Sequence, residues 1–239
     1  MNKPTAVVVD DATFIRRAFP VLMPLLDVGC TFSTAEELLQ ADISADVVVL
    51  ELQSSEKDPM EVRAGITALR DVVAAGHVVC VYTQEDRPFV HAACLASGAA
   101  GVVLKSATVV EAQDAFVEVA GGGGEFPAEL LGRIEQLSQR GGLGMLSPRK
   151  RRILSARAQG MSLIQIAAQL DEPEALAIEE WHVTARALRQ FLSYASLGMV
   201  CRQFGLDAED LPDIWSTPFP SAVTDPRDDQ RITPLPEPR

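Results

Sequence analysis

Short runs of apolar, mostly β-branched residues recur along the first 120 residues and alternate with amphipathic stretches. These runs are Ala6–Val9, Val47–Leu50, Val78–Tyr82 and Gly101–Leu104. Because they are apolar at nearly every position, they favour strands that are covered on both faces, as in a parallel sheet. The helical pattern through Ile15 to Leu26 predicts a crossover between strands. The pattern therefore predicts a doubly wound α/β domain with a five-stranded parallel sheet.

Glycine, proline and helical spacing organise the rest of the chain. The four glycines Gly121–Gly124 predict the end of the last helix of the first domain. A helical pattern from Ala128 to Leu137 predicts a linking helix. Ser147 and Pro148 have the form of an N-cap and a first helical residue, and helical spacing continues from Ile153 to Leu192. An all-α domain is expected there.

The predicted domain boundaries follow from these signals. We expect an α/β domain over 1–125, a helical linker over 126–145, an all-α domain over 146–210 and a tail over 211–239. The tail holds 7 of the 15 prolines, with few apolar residues between them. No packed core is expected from that composition, which predicts a disordered acidic tail.

The distribution of charge limits the classes of partner. The net charge of −12 argues against a general nucleic-acid binder, but residues 146–205 carry 8 Lys/Arg against 5 Asp/Glu. That segment is the only basic one. No apolar run reaches the roughly 18 residues that span a bilayer, so we expect a cytoplasmic protein without membrane contact.

Polar residues follow the predicted strands at their carboxyl ends. Asp10 and Asp11 follow the first run, Glu51 follows the second, and Thr83 and Lys105 follow the third and fourth. Parallel strands end at one edge of a sheet, where ligands bind, so these groups are expected to converge. Two adjacent acids can hold a hard divalent cation, although an exposed helix-capping pair is the alternative interpretation.

The segment from Ala96 to Lys105, together with Val119–Gly122 and the order of the polar groups, resembles the receiver domain of response regulators of the NarL/LuxR type. The resemblance covers residues 5–130 and implies a flavodoxin-like fold. It also implies roles for the polar edge, in which Thr83 senses phosphoryl oxygens and Lys105 pairs with their charge.

The same resemblance implies a magnesium site. Asp10 and Asp11 would bind Mg²⁺ with help from the backbone carbonyl of Gln53. Residual Mg²⁺ binding by Asp10, Asp11 and Glu51 fits the three carboxylates that remain in this chain. No other cofactor is expected.

Three departures from the receiver pattern predict that this domain is a poor phosphate acceptor. Glu51 stands where the family carries its phosphate-accepting aspartate, and its carboxylate lies one methylene further out. Phosphotransfer needs an in-line acceptor oxygen, so this shift is expected to lower the rate strongly. Gln84 replaces a small residue and would crowd a phosphate, and Val102 replaces the aromatic residue that reports activation.

Two hypotheses remain for Glu51. In the first, Glu51 reaches toward Lys105 and holds the domain in one signalling state without phosphorylation. In the second, Glu51 only keeps an inert scaffold folded.

The all-α domain resembles the four-helix helix-turn-helix domain of LuxR-type transcription factors. The similarity lies in Leu146–Leu154, Ala158–Ser162 and Ile166–Leu170. It implies DNA binding by a dimer, since receiver, linker and helix-turn-helix is that family's domain order. We expect Trp181 and Leu188, with the nearby Phe191, to lie in its core.

The half of this domain that should read DNA departs from the pattern. Glu179 and Glu180 lie where basic and polar residues usually meet the major groove, and carboxylates repel phosphate. Leu170–Glu174 replaces a turn that normally holds glycine, and Ile164 replaces a phosphate-binding lysine. The candidate DNA contacts are Arg149, Lys150, Arg151, Arg152, Arg186 and Arg189. A solvated basic face is the alternative interpretation of the run 149–152.

These features predict an atypical, phosphorylation-independent response regulator that binds DNA as a dimer and controls transcription. The alternative is a protein-interaction regulator with a degenerate DNA-binding domain, which would act through a heterodimeric partner regulator. We do not expect an enzyme, because the sequence shows no nucleophile with a nearby base, no metal-ligand spacing and no phosphate loop.

Overall fold

The computed structural model describes residues 3–41, 43–52 and 58–215. The strands are β1 (Thr5–Val9), β2 (Asp27–Phe32), β3 (Val47–Leu50), β4 (Val79–Thr83) and β5 (Gly101–Leu104). The helices around them are α1 (Thr13–Leu22), α2 (Ala35–Gln40), α3 (Pro59–Ala74), α4 (Pro88–Ala96) and α5 (Val109–Ala120). The later helices are α6 (Ala128–Gln139), α7 (Pro148–Ala158), α8 (Leu163–Leu170), α9 (Glu174–Tyr194), α10 (Leu197–Phe204) and a short 3-10 helix, Pro212–Ile214. None of the helices in these ranges has both the length and the apolar character needed to cross a bilayer.

The five strands form one parallel sheet in the order β2-β1-β3-β4-β5. This is the strand order of a flavodoxin-like doubly wound sheet. The predicted fold of the first domain is therefore confirmed. The order reverses between β1 and β3, and the carboxyl ends of these two strands flank the crevice in which such sheets bind ligands.

The valine-rich strands feed two separate layers of helices. Val7 and Val48 lie in the core beneath α2, α3 and α4, whereas Val8 and Val49 lie in the core beneath α1 and α5. Successive side chains of a strand point to opposite faces, so a strand between two helical layers must be apolar throughout. That requirement explains the continuous apolar runs.

Strand β2 carries a weaker signal. It lies at the edge of the sheet, and its residues alternate between exposed and half-buried. Its sequence, Asp-Val-Gly-Cys-Thr-Phe, lacks the continuous apolar run of the central strands. The apolar pattern therefore predicted the number of strands but did not locate this one.

Side-chain caps define the helices of the all-α domain. The Ser147 hydroxyl accepts a hydrogen bond from the backbone N–H of Lys150, with Pro148 at the first helical position, as expected. Helix α8 ends at Asp171, which adopts a left-handed φ of 53°. Aspartate tolerates this conformation better than most residues, so the turn forms without the glycine that the resemblance led us to expect.

One hydrophobic core runs through both parts of the molecule. The layer beneath α3 and α4 continues through Phe126 and Leu130 to Ile153 and Trp181. Helix α9 packs directly on α4. The boundaries at 125 and 145 remain predictions, because the core is not interrupted there.

The segment after α10 differs from the expected tail. Leu211, Ile214 and Trp215 are buried against the rest of the protein. The prediction that disorder begins at residue 211 is therefore wrong for residues 211–215, which find their apolar partners in distant helices rather than in one another. Residues 216–239 lie outside the described residues.

Candidate functional site

The carboxyl edge of the sheet gathers the side chains that the sequence placed there. Asp10 follows β1, Glu51 follows β3, Thr83 ends β4 and Lys105 follows β5. Asp10, Glu51 and Lys105 are in direct contact, while Asp11 is exposed beside them. We call Asp10, Glu51, Thr83 and Lys105 the switch edge.

Lys105 lies between two buried carboxylates. Its Nζ is 2.8 Å from Asp10 Oδ2 and also contacts Glu51 Oε2. The side chains of Asp10 and Glu51 are only 3% and 7% exposed, so water contributes little to their solvation. The ammonium group therefore supplies most of the electrostatic compensation for the burial of these two carboxylates.

Burial and pairing act on the protonation of this cluster in opposite directions. Burial raises the pKa of Glu51, although hydrogen bonding and attraction to Lys105 offset part of the effect. Burial also works against the charged form of Lys105, but its hydrogen bonds to Asp10 and Glu51 outweigh burial and raise its pKa. Lys105 is thus a fixed cation at this edge.

Thr83 and Val102 lie beside the cluster in buried positions. The Thr83 hydroxyl accepts a hydrogen bond from the backbone N–H of Glu85 at 3.1 Å and also interacts with Glu51. Val102 lies in the core on the α4 side of the sheet. The centroid of the Tyr82 ring is 5.6 Å from Lys105 Nζ.

Both carboxylate oxygens of Asp10 and one of Glu51 already have partners, whereas Asp11, the third expected Mg²⁺ ligand, is exposed. Asp10 Oδ1 accepts the backbone N–H of Ala12 at 2.8 Å, and Asp10 Oδ2 and Glu51 Oε2 face Lys105. Within the described ranges, no three His, Cys, Asp or Glu side chains are grouped to hold a metal ion. This arrangement does not fit an open magnesium site, and Gln53 lies outside the described residues.

The basic residues of α7 are partly neutralised within the protein. Arg149 Nη2 is 2.6 Å from Glu172 Oε2, and its Nε is 3.3 Å from Glu180 Oε1. Arg151 donates a long hydrogen bond of 3.4 Å to the carbonyl of Leu143. Of the candidate DNA contacts, Arg152 and Arg186 are exposed, and Lys150 is half-buried.

Arg189 is not available to DNA in this conformation. Its Nη1 donates to the carbonyls of Ala100 at 2.9 Å and Gly123 at 3.1 Å, both in the first domain. Burial, with a smaller contribution from Arg186, lowers the pKa of Arg189 to about 10. The DNA contact expected at this residue stays a prediction, and in this structure helix α9 turns the side chain toward the edge of the sheet instead.

The buried face of α9 is an interface with the first domain. Trp181 Nε1 donates to the carbonyl of Gly124 at 3.0 Å, and its ring packs on Phe126. The guanidinium of Arg157 lies 5.1 Å from the Trp181 ring and 3.0 Å from the carboxylate of Glu125. Trp181 and Leu188 are core residues as expected, and Phe191 is half-buried.

One residue on this interface carried no signal in the sequence. His182, which appeared isolated, has its Nε2 3.1 Å from Glu118 Oε1 on α5. Burial raises the pKa of Glu118, with His182 and Arg157 acting against it. The two residues are 64 positions apart, so only the docking of α9 brings them together.

Comparisons with known proteins find similar solved structures only. No family model matches the chain, and no curated protein matches it. The solved structures that it resembles include the RcsB response regulator of Salmonella typhimurium, with 18% identity over 89% of this chain and 98% of that chain and a TM-score of 0.47. ChrA, a response regulator of a heme-sensing two-component system, has 24% identity over 80% of this chain and 98% of that chain, with a TM-score of 0.42.

A third similar structure covers the first domain alone. The signal receiver domain of the response regulator NarL from Mycobacterium tuberculosis has 24% identity over 51% of this chain and 99% of that chain, with a TM-score of 0.42. At these identities and TM-scores the similarities add nothing about function. The strand order and the helices that follow it show a receiver-type α/β fold continued by an all-α, helix-turn-helix-like region.

Proposed function

We propose that this protein is a transcription regulator of response-regulator architecture whose receiver works without phosphorylation. The observation that carries the proposal is the position of Lys105 Nζ between the carboxylates of Glu51 and Asp10. In a receiver, the corresponding lysine would pair with the charge of a phosphoryl group. In this protein the carboxylate of Glu51 takes the place of that phosphoryl group as a permanent partner of Lys105.

The chemistry of phosphoryl transfer supports this proposal. An acceptor carboxylate must approach the donor in line, with a metal ion to neutralise the developing charge. Glu51 is buried and paired with an ammonium group, and the carboxylate of Asp10 is already engaged. The acceptor position and the metal-binding carboxylate are thus both engaged in other contacts.

Beryllofluoride binding tests whether the switch edge still accepts a phosphoryl mimic. Backbone amide NMR of the intact chain would be recorded with beryllofluoride and Mg²⁺, for the wild type and for Glu51→Asp. We expect no shift at Thr83 in the wild type. A shift in Glu51→Asp would show that the methylene group is the block, and a saturable shift in the wild type would contradict the proposal.

The same switch edge must be shown to matter for output. If Glu51 acts as a fixed charge, Glu51→Gln changes both the exchange rates of the α9 amides and regulatory activity in cells. If Glu51 only supports an inert scaffold, Glu51→Gln changes stability alone. A reporter assay paired with hydrogen exchange separates these two hypotheses.

The first candidate function is control of transcription by direct binding to DNA. Lys150, Arg152 and Arg186 would contact the phosphate backbone of a duplex, in a dimer of this chain. Each phosphate contact adds to the salt dependence of binding, so Arg186→Gln is expected to lower the slope of log affinity against log salt by about one. Fluorescence anisotropy on duplex DNA at low salt measures this affinity, and an absence of binding at low salt would rule out direct DNA binding.

The second candidate function is control of transcription through a partner regulator. Specific observations favour it: Arg149 is paired with Glu172 and Glu180, and the half-buried Arg189 donates to two backbone carbonyls of the first domain. The exposed Glu174 and Glu179 give the first turns of α9 an acidic surface. Such a helix fits a basic protein surface better than a phosphate backbone.

Co-purification distinguishes the two candidates. If the second is correct, a tagged chain retains another regulator, and only the pair shifts DNA in a gel. If the purified chain alone binds duplex DNA with the salt dependence described above, the first is correct.

A further inference from the structure

Residues 205–215 leave α10 and cross to the receiver, and we call this segment the strap. It begins at Gly205, which has a left-handed φ of 62°. Arg133 of α6 donates to the carbonyls of Phe204 at 3.0 Å and Gly205 at 2.9 Å and so holds its start. The strap therefore has a fixed origin on the linker helix.

The strap is acidic, and the face that it docks on is basic. It carries no Lys or Arg, and its acids are Asp207, Glu209, Asp210 and Asp213. Opposite it lie three arginines of the receiver helices and their flanks: Arg63, Arg70 and Arg87. The charges are thus complementary along the length of the segment.

Arg63 makes the most complete of these contacts. Its guanidinium binds both carboxylate oxygens of Asp213, at 2.6 and 3.0 Å, and the backbone carbonyl of Asp210 at 2.6 Å. This forked geometry is the strong form of an arginine–carboxylate pair. Arg70 also donates to the carbonyl of Ile214.

Arg87 adds a link toward the receiver's interior. It is held by the fully buried carboxylate of Glu85, and its other nitrogen lies 3.7 Å from Glu209 and 3.9 Å from Asp210. Glu85 also donates its backbone N–H to Thr83 of the switch edge. The docking face is therefore contiguous with that edge.

Trp215 joins the receiver to the end of helix α9. Its ring centroid is 5.7 Å from that of Phe89 on α4, and its Nε1 donates to the carbonyl of Ala195 at 2.8 Å. Ala195 directly follows the last residue of α9. One buried side chain thus contacts both parts of the molecule.

We propose that the strap is a lock that holds the helical domain closed on the receiver, and that its release frees helix α9. In the closed state, the indole of Trp181 and the guanidinium of Arg189 are both bound to receiver carbonyls. Release lets the domain move away and exposes those groups. Only the identity of what α9 then binds rests on the proposed function.

The chemistry of the docking face indicates what would release the lock. Three arginines beside a buried aromatic ring fit an acidic peptide segment that carries its own aromatic anchor. A partner protein presenting such a segment would compete with the strap for the same arginines. A synthetic peptide of residues 205–215 is the probe for this competition.

Hydrogen exchange of the intact chain tests the lock. In Trp215→Ala we expect the amides of α9 to exchange at least about tenfold faster, as expected when a contact worth 1.4 kcal/mol or more is lost. Strands β1 and β3 keep their protection. Arg17→Ala, which removes an exposed arginine from α1, is the matched control and leaves α9 unchanged.

Two results would overturn the lock. In one, α9 keeps its protection although the strap itself exchanges freely. In the other, β1 and β3 lose as much protection as α9, which would make the strap only one more part of a single core.

A charge exchange tests the docking face without removing a core residue. Arg63→Asp and Asp213→Arg are each expected to speed exchange in α9, and the double variant to restore part of the protection. Failure of both single variants to change α9, or absence of restoration, would contradict the docking role. The synthetic peptide, added in excess to the wild type, is expected to have the effect of the single variants, and its failure to do so counts against the lock.

Binding of duplex DNA at low salt separates the lock from the proposed function. Faster exchange in α9 with no DNA bound supports the lock and removes direct DNA binding. DNA binding that improves in Trp215→Ala together with faster exchange supports both. DNA binding that improves with α9 exchange unchanged contradicts the lock.

Discussion

The switch edge of the receiver and helix α9 both bind a cationic side chain within the protein, but they do so differently. At the switch edge, Lys105 is paired with two carboxylates that end neighbouring strands. On α9, Arg189 has no acidic partner among the described residues and instead donates to two backbone carbonyls of the first domain. The contacts of Lys105 are ion pairs within one domain, whereas the contacts of Arg189 form only because the two domains pack together.

This difference shows two ways in which a protein can engage a cation away from solvent. The switch edge has its acidic, hydroxyl and amine groups in the expected place, and in the proposed function the longer side chain of Glu51 supplies a built-in anion in place of a phosphate acceptor. The helical domain retains its caps and core, but docking redirects the charges of its third helix. The first change is visible in a single residue, and the second is visible only in the assembled molecule.

The largest effect is expected where α9 meets the receiver. Trp181→Ala removes a fully buried indole and its hydrogen bond to Gly124, and we expect the free energy of unfolding to fall by about 3–5 kcal/mol. Urea denaturation measures this. The exposed neighbour Val183→Ala is the control and should cost no more than about 0.5 kcal/mol. Equal losses in the two variants would contradict the interface.

A smaller loss is expected at the switch edge. Lys105→Met leaves two buried carboxylates without their cation, and breaking a buried pair in this way costs about 3 kcal/mol near neutral pH. Adding Glu51→Gln should restore part of the stability, because one unpaired charge is removed. If Glu51→Gln restored no stability to Lys105→Met, the loss in Lys105→Met would not come from an unpaired charge on Glu51.

Arg189 should matter for stability rather than for nucleic acid. Arg189→Met leaves the carbonyls of Ala100 and Gly123 without a donor, and we expect a loss of about 1–3 kcal/mol. Arg186 is exposed on the same helix, so Arg186→Met is the control and should change the free energy of unfolding by less than about 0.5 kcal/mol. Thermal unfolding of the two variants side by side checks this, and the reverse ranking would place Arg189 at the surface.

The smallest effect is a dependence on pH. Because burial raises the pKa of Glu51 above its ordinary value of 4.5, the folded state binds this proton more tightly than the unfolded state does. The stabilising contribution of this proton is present below 4.5 and is lost as pH rises through the folded-state pKa. The stability of the wild type relative to Glu51→Gln should therefore fall with rising pH in that window, and a rise measured by urea denaturation would contradict the shift.

The sequence predicted what short-range rules control. Val47–Leu50 is apolar throughout because both faces of a central strand are covered, and Ser147 with Pro148 begins a helix by local hydrogen bonding. Convergence of the strand ends predicted that Glu51 would reach Lys105. These features need only periodicity, capping and the geometry of a parallel sheet.

The features that were missed depend on contacts between distant residues. Arg189 lies on a helix that the domain order places where a recognition helix would be exposed, and nothing near it in the sequence indicates contact with a sheet edge. Leu211, Ile214 and Trp215 are too sparse to predict a core, and they are buried only because α4 and the end of α9 receive them. Strand β2 gave a weak signal because it is an edge strand with few buried side chains.

The most direct test of the central claim is the intact mass of the wild-type chain after incubation with acetyl phosphate and Mg²⁺. We expect no covalent phosphate on the wild type, and one phosphoryl group on Glu51→Asp if the longer side chain is what prevents transfer. A phosphoryl group mapped to Glu51 of the wild type would contradict the account, because the carboxylate paired with Lys105 would then be an acceptor rather than a permanent charge.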